Sequence, residues 1–462
     1  MQNVTENFEA VLARHREFFE TEKTQNIRFR LDTLIRLRET IRTHEADILQ
    51  AMFHDLHKSE FESYATEIGI VLDSIGHVLA HLPLWAKTRR VRTPLVQFGG
   101  SSHIIWEPYG TVLIIGPFNY PFQLVIEPLI GAIAAGNCAV LKPSSSTPQV
   151  SAVIRTIVAE TFDEGHVSVI EGGRDVIAGL LGQPFDYIFF TGSAATGRVV
   201  MEAAAHHLTP VTLELGGKSP CIVERDAKLA VACRRIAWGK FLNAGQTCVA
   251  PDYLLVHRSL RPTLVEELKK TIVDFYGEDP MQSPDYGRIV TTRAAQRLTE
   301  ILRQDTARIV AGGRCEPEAR YIAPTLLDDV RPSDACMQGE LFGPILPILY
   351  YDELEEALEF IRRRPKPLAL YLFTENHKTC RQVLRDTTSG GACINDTINH
   401  LATPYLPFGG VGESGMGAYH GRFGFETFSH AKSVLTKTTR FSVQPVFPPF
   451  GDHIKLLRKI LK

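Results

Sequence analysis

The sequence predicts an α/β protein of two doubly wound, parallel-sheet units, and three observations carry that expectation. Between Thr111 and His207, short apolar runs alternate with amphipathic helical spans, the pattern of parallel strands covered by helices on both faces. The same alternation restarts near 221 and runs to about 400, enough for a second parallel sheet. Between the two lies Gly216-Gly217, a breaker pair placed as a boundary.

Residues 5–86 read as helical. Phe8, Val11 and Leu12 start one apolar stripe, Leu31, Leu34, Ile35 and Leu37 a second, and Phe61, Tyr64, Ile68, Val71 and Leu72 a third. His57-Lys58-Ser59, with Glu60 following, reads as a helix start. From Ile104 the period changes: Ile104–Trp106 and Thr111–Ile115 flank Glu107-Pro108-Tyr109-Gly110 as either a hairpin or two consecutive strands. Next come a breaker-rich loop (116–121), a helix (123–135), a strand at Ala139–Leu141, a helix (151–162), a strand (167–170), a helix (175–181), a strand (187–190) and a helix (197–207). Beyond Val211–Leu215, strands are expected near 253–257, 322–327, 345–350 and 368–373, and a final one at Ala431–Lys437.

Composition excludes several classes. The 462 residues suffice for two or three domains. With 44% hydrophobic and 22% charged residues, and a net charge of -2 from 50 basic and 52 acidic side chains, the chain reads as globular and soluble, with no nucleic-acid partner. The N-terminus does not read as a signal peptide, and apolar stretches such as Leu129–Ala135 are too short to cross a bilayer. The basic, amphipathic tail Lys455–Lys462 reads as surface packing, with a weak membrane-surface contact as the alternative. Eight cysteines without a Cys-x-x-Cys pair indicate reduced thiols, no metal site and a cytoplasmic location. Cys138, Cys221 and Cys393 sit in apolar runs as core residues. Cys233 lies on an apolar-patterned helix, and Cys315, Cys336 and Cys380 lie among polar residues without a motif.

Cys248 differs from these. It lies in Trp238–Asp252 (WGKFLNAGQTCVAPD), where an apolar helix breaks on Asn243-Ala244-Gly245-Gln246 before the run beginning at Tyr253. A thiol on a turn rich in backbone N–H groups is either a nucleophile or a structural cysteine. The run Tyr187–Phe190, Thr191-Gly192-Ser193, then a helix near Gly197, has the physics of an anion-binding turn. An ordinary strand-to-helix turn has the same pattern.

Five motifs in order, FNYP (118–121), LELGGKSP (213–220), GQTC (245–248), ELFGP (340–344) and PFGGVGESGMG (407–417), resemble those of the NAD(P)-dependent aldehyde dehydrogenases. HKSEFESYATEIG (57–69), the CVAPDY run and AYHGRFGFETFSH (418–430) resemble the class 3 branch, which acts on fatty and aromatic aldehydes. The resemblance implies two Rossmann-like units and a small β oligomerisation arm. The dinucleotide-binding unit would be 1–90 with 111–216, the catalytic unit 217–403, the arm 91–110 with 404–440, and the tail 441–462. It implies Cys248 as nucleophile, Cys248 N–H and Asn119 as oxyanion donors, and Glu214 as the base that activates water. It implies Lys142 at the adenine ribose, Gly192, Ser193 and Gly197 near the pyrophosphate, and Glu340 with Phe342 at the nicotinamide ribose. Many relatives carry a glutamate three residues after the lysine; Ser145 here tolerates a 2′-phosphate, so NADP is expected beside NAD. Apolar pocket candidates are Tyr64, Tyr120, Trp238 and Ile394, and a homodimer is expected. A CoA-acylating relative is disfavoured because such enzymes tend to lack the base glutamate. A cysteine hydrolase is disfavoured because none of the 16 histidines sits in a matching motif.

Overall fold

The computed structural model describes residues 7–441 and 447–461. One sheet has six strands, in spatial order Gly415–Met416, Val211–Glu214, Tyr187–Thr191, Thr111–Ile115, Cys138–Lys142 and Val167–Val169. All its pairings are parallel except that of Gly415–Met416, which runs antiparallel to Val211–Glu214. Thr111–Ile115 and Cys138–Lys142 are buried throughout, as strands covered on both faces must be. The helix Gln123–Ala135 is buried along its whole length.

The second sheet has seven strands, ordered Ile309–Ala311, Thr325–Leu327, Ile345–Tyr351, Tyr253–His257, Pro220–Val223, Ala369–Phe373 and Gly391–Ile394. Only the outer Ile309–Ala311 pairing is antiparallel. The chain crosses from the first sheet to the second between Glu214 and Pro220, across Gly216-Gly217.

The N-terminal helices carry the caps their sequence encodes. The side chains of Asn7, Asn26 and Ser59 accept hydrogen bonds from Ala10, Arg28 and Glu62 N–H and so start three helices. Of the two readings of Ile104–Trp106 and Thr111–Ile115, consecutive strands hold: Gly100–Pro108 joins Arg89–Val91 and Ser429–Lys437 in a separate three-stranded ribbon, and Thr111–Ile115 enters the six-stranded sheet. Two expectations change. The helix expected from Gly197 starts at Ala194, because Ser193 caps it by accepting from Thr196 N–H. The 322–327 strand splits into Tyr321–Ile322 and Thr325–Leu327, broken at Pro324. The tail forms the helix Ile454–Ile460, with Ile454 and Leu457 exposed; Lys462 lies outside the described residues.

Among the described residues one helical run, Glu60–Trp85, is long and apolar enough by length and composition to cross a membrane, contrary to the expectation that none is. In this fold Ile68, Val71, Ile75, Val78 and Leu82 bury one of its faces in the core.

Candidate active site

Cys248 follows a strained turn. Three consecutive residues, Asn243, Ala244 and Gly245, have positive φ (52°, 51° and 76°), a conformation costing a non-glycine residue ~1–3 kcal/mol unless its surroundings impose it. The surroundings do. Asn243 N–H donates to Glu62 Oε1 at 2.9 Å, and Asn243 Nδ2 donates to the Asn119 carbonyl at 2.7 Å. Gln246 Nε2 donates to the Arg288 carbonyl, and Gln246 Oε1 accepts from Val290 N–H. Beyond the turn, Thr247 Oγ1 and Tyr120 OH lie 2.6 Å apart, and Tyr371 OH donates to the Val249 carbonyl.

The Asn119 loop is held from the same side. Lys58 Nζ donates to the Asn119 carbonyl at 3.1 Å and to Glu67 Oε1 at 2.7 Å, and sits 4.1 Å from the centre of the Tyr120 ring. Glu67 Oε2 accepts from Phe122 and Gln123 N–H, both at 3.0 Å. Lys58 and Glu67 are 1% and 0% exposed. With its carbonyl fixed twice, the Asn119 side chain makes no hydrogen bond among the described residues and faces a cavity.

That cavity, about 760 Å³, is walled by Asn119, Glu214, Cys248, Glu340 and Phe342, with Gly192 and Ser193 at the amino end of the Ala194–Ala205 helix. Glu214 is 3% exposed, and neither of its carboxylate oxygens has a hydrogen-bond partner. Its backbone is clamped: its carbonyl accepts from Gly192 N–H, and it pairs with Gly415. A Cβ on Gly415 would lie 2.1 Å from the Leu213 carbonyl oxygen, so the glycine-rich stretch is what lets a strand back Glu214.

Glu340 reaches the cavity on a loop tied down by Lys218. Lys218 Nζ donates to Asp252 Oδ2 (2.5 Å) and to the Cys336 and Gly339 carbonyls, and Asp252 Oδ1 accepts from Leu341 N–H. A Cβ on Gly216 would fall 2.2 Å from Glu340 Oε2, so the boundary glycine leaves the space that the carboxylate fills.

Burial sets the protonation of the whole cluster. Desolvation raises Glu214 well above the usual carboxylate range. Desolvation, then Asp252, push Glu340 up to about 8. Desolvation, then Glu340 and Glu214, push the Cys248 thiol up to about 12, although the backbone N–H groups of Cys248 and Val249 act the other way. A buried carboxyl with no partner and a thiol that follows a strained turn thus border one cavity, whereas buried structural groups are normally satisfied.

Cys248 also borders a second cavity, of about 890 Å³, that is predominantly apolar. Tyr120, Trp238, Leu242, Val249, Ile398 and Phe408 wall it. Leu124, Cys248, Phe408 and Tyr419 border both spaces.

The aldehyde dehydrogenase family pattern matches residues 2–434. The 4,4'-diaponeurosporen-aldehyde dehydrogenase of Staphylococcus aureus is 53% identical, across 96% of this chain and 97% of its own. A dimeric NADP-preferring aldehyde dehydrogenase of Mus musculus is 48% identical, across 94% of this chain and 95% of its own. A solved structure, the substrate-bound state of Staphylococcus aureus AldH, superposes with a TM-score of 0.97 at 52% identity, covering 98% of this chain and 99% of that one.

The chain belongs to the aldehyde dehydrogenase family. Its activity is the NAD(P)-dependent oxidation of an aldehyde to the carboxylic acid.

In this aldehyde dehydrogenase, the residues expected from sequence fall into three groups. Cys248, Glu214, Asn119, Gly192, Ser193, Glu340 and Phe342 meet at the first cavity, and Tyr120 and Trp238 line the second. Lys142, Ser145 and Gly197 line neither. Lys142 ends its strand at the carboxyl edge of the six-stranded sheet and donates to the Pro143 carbonyl, Ser145 is exposed, and Gly197 packs its helix on Leu215. Two pocket expectations are corrected. Tyr64 opens a π-helical turn (Tyr64–Ile68) that lays its ring back against Gly69 and leaves it 44% exposed, so Ala65 and Thr66 reach the cavity instead. Ile394 pairs with Leu372 at the end of an edge strand, and the chain reaches the cavity only from Ile398. Lys58, Glu67, Lys218 and Asp252 carried no signal beyond their membership of the motifs.

A thiol held near 12 fixes how the unliganded protein meets an alkylating agent. Carbamidomethylation of Cys248 by iodoacetamide, followed by peptide mass spectrometry, should accelerate about tenfold per pH unit from pH ~7 to ~10 without levelling. A plateau below pH ~9 would mean that the thiol ionises readily. Lys58→Met leaves Glu67 a buried carboxyl without its cation and removes one of the two donors to the Asn119 carbonyl. The denaturation midpoint should fall by the equivalent of about 3–5 kcal/mol. The double change Lys58→Met with Glu67→Gln should recover much of that stability yet keep kcat at least ~10-fold down, since the Asn119 loop then rests on the Asn243 donor alone. Recovery of kcat along with stability would contradict the positioning role.

Proposed function

We propose that the preferred substrates are apolar aldehydes, aliphatic of medium to long chain or aromatic, and that both NAD and NADP serve as acceptor. The observation that carries this is the place of Cys248, at the junction of a cavity edged by carboxyls and a helix amino terminus with a cavity walled by apolar side chains. The names of the relatives agree: one is a dehydrogenase of diaponeurosporen-aldehyde, another is NADP-preferring.

The residues present fit the dinucleotide. The free amino end of the Ala194–Ala205 helix at Gly192-Ser193 suits a pyrophosphate, and the recess that Gly216 leaves for Glu340 places a carboxyl where a ribose could be held. Lys142 and Ser145 would serve the adenine ribose and its 2′-phosphate, with Gly197 behind the pyrophosphate turn. When bound, the oxidised nicotinamide supplies the hydride acceptor and a positive charge beside the sulfur.

The chain's own groups do the rest. Cys248 Sγ adds to the aldehyde carbon and makes it tetrahedral. The charge gathering on the aldehyde oxygen is met by Cys248 N–H and the unpartnered Asn119 amide. After oxidation the acyl group remains on Cys248 as a thioester, and Glu214 takes a proton from the water that hydrolyses it. A carboxyl raised by burial is a base matched to that step. In this scheme 1–90 with 111–216 is the cofactor-holding unit, and 217–403 the unit carrying the nucleophile.

Steady-state and single-turnover absorbance at 340 nm with both cofactors tests the scheme. Cys248→Ala should abolish turnover, and Glu214→Gln should release one equivalent of NAD(P)H per site and then stall. Loss of the burst in Glu214→Gln would remove the residue from deacylation alone, and a hundredfold or greater preference for NAD in kcat/KM would end the proposed dual use.

The ribbon Gly100–Pro108 with Ser429–Lys437 stands out from both sheets, and Leu95, Phe98 and Leu435 on and beside it are exposed. We assign it to a homodimer interface. The exposed Phe450, Ile454 and Leu457 of the tail beside Lys455, Arg458 and Lys459 suit weak peripheral contact with an anionic membrane surface, from a cytoplasmic location. Sedimentation should give twice the chain mass, with a minor fraction pelleting with anionic vesicles and none once 447–462 is removed. A monomer, or vesicle binding independent of the tail, would reject the respective assignment.

A further inference from the structure

The apolar cavity continues into a further space of about 570 Å³, sharing Ala65, Ile70, Leu401, Ala402 and His420 with it. There the lining becomes polar, through Asp73, Ser74 and Glu127. Two groups in that wall are buried and unmatched. Glu127, on the wholly buried Gln123–Ala135 helix, is 6% exposed; its Oε1 accepts from Ser74 Oγ at 2.7 Å and its Oε2 has no partner. His420 is 7% exposed and its Nε2 has no partner.

His420 is also held at a cost. Its φ of 82° is one that a residue with a side chain adopts only when its surroundings demand it. Its ring is stacked on Phe408 with centroids 5.3 Å apart. With the ring proton on Nδ1, Nε2 presents a free lone pair. Oxidation at Cys248 uses neither residue, and buried polar atoms left without a partner call for a ligand or an explanation.

We propose that this chamber is a subsite for an uncharged hydroxyl carried on the far end of the aldehyde. The hydroxyl accepts from Glu127 Oε2 and donates to His420 Nε2. A hydroxyl is one donor with two lone pairs, which matches a carboxylic acid on one side and an imidazole lone pair on the other. The carboxyl is available as a donor: desolvation, with Asp73 adding to it, pushes Glu127 up to about 7, and no cation counters this. An anionic tail would meet Asp73 and Glu127, and a hydrocarbon tail would leave both buried atoms unmatched. The proposal rests on the reading of this protein as an oxidiser of apolar aldehydes and adds what it selects at the distal end.

The experiment compares kcat/KM for matched alkanals and ω-hydroxyalkanals of about six to twelve carbons, each pair expressed as a ratio so that a general loss of activity cancels. At one or more lengths the wild type should favour the hydroxy compound at least ~10-fold. That ratio should fall below ~3 in Glu127→Leu and in His420→Phe, while Glu127→Gln, which keeps a donor, should hold it. Equal use of both aldehydes at every length, or a preference that survives Glu127→Leu and His420→Phe, overturns the proposal. Absence of NAD(P)H from any aldehyde would instead strike the broader reading. Should Glu127→Leu not fold, His420→Phe decides alone.

Discussion

The Lys58–Glu67 pair is the interaction on which the geometry around Cys248 depends. Two opposite charges, almost fully buried, are a poor source of stability, because desolvating them offsets their attraction. What such a pair supplies is position. Glu67 spends its second oxygen on the N–H groups of Phe122 and Gln123, where a helix starts and donors are otherwise unmatched. Lys58 spends its remaining reach on the Asn119 carbonyl and the Tyr120 ring. Tyr120 in turn meets Thr247, the residue before the nucleophile. One ion pair, between the break before the Glu60–Ser63 helix and the π-helical turn after it, therefore registers the loop from the first sheet against the turn that leads into the second.

The same logic explains why so many acidic groups can share this space. Glu62, Glu214, Glu340 and the Cys248 thiol are all raised by burial, the first to about 7. At neutral pH the cluster is chiefly neutral, so its members are not forced apart. Glu62 uses that tolerance structurally, accepting from Asn243 N–H to hold the left-handed turn. Glu214 has no such bond, which sets it apart from the scaffold carboxyls and is what supports the base role proposed for it.

Most inner strands were legible because runs such as Val112–Ile115 and Ala369–Phe373 are apolar and bounded by breakers, whereas the short strands Pro220–Val223, Ile309–Ala311, Gly391–Ile394 and Gly415–Met416 were not expected. Cys248 was legible as a cysteine outside any regular element. What was not legible lies in contacts between residues far apart in the chain: Lys58 meets Asn119 across 61 positions, and Asn243 meets Asn119 across 124. Nothing local marks Lys58 in a polar segment as a buried cation. Tyr64 misled because a π-helical turn breaks the 3.6-residue period from which its facing was read. Ile104–Trp106 left two arrangements open because a strand pattern reports its faces and not its partner, which is Ser429–Lys437, more than three hundred residues away.

Around the first cavity, glycines leave room: Gly216 yields to Glu340 and Gly415 lets a strand pass behind Glu214. Strained residues that carry side chains stand in both walls, Phe342 at φ 48° in the first and Ile398 at φ 45° and His420 at φ 82° in the second. Each costs free energy that only its surroundings can offset. Under the proposed scheme, the Ile398 and His420 conformations shape the space that receives the aldehyde, and the Phe342 conformation the space that receives the nicotinamide ribose.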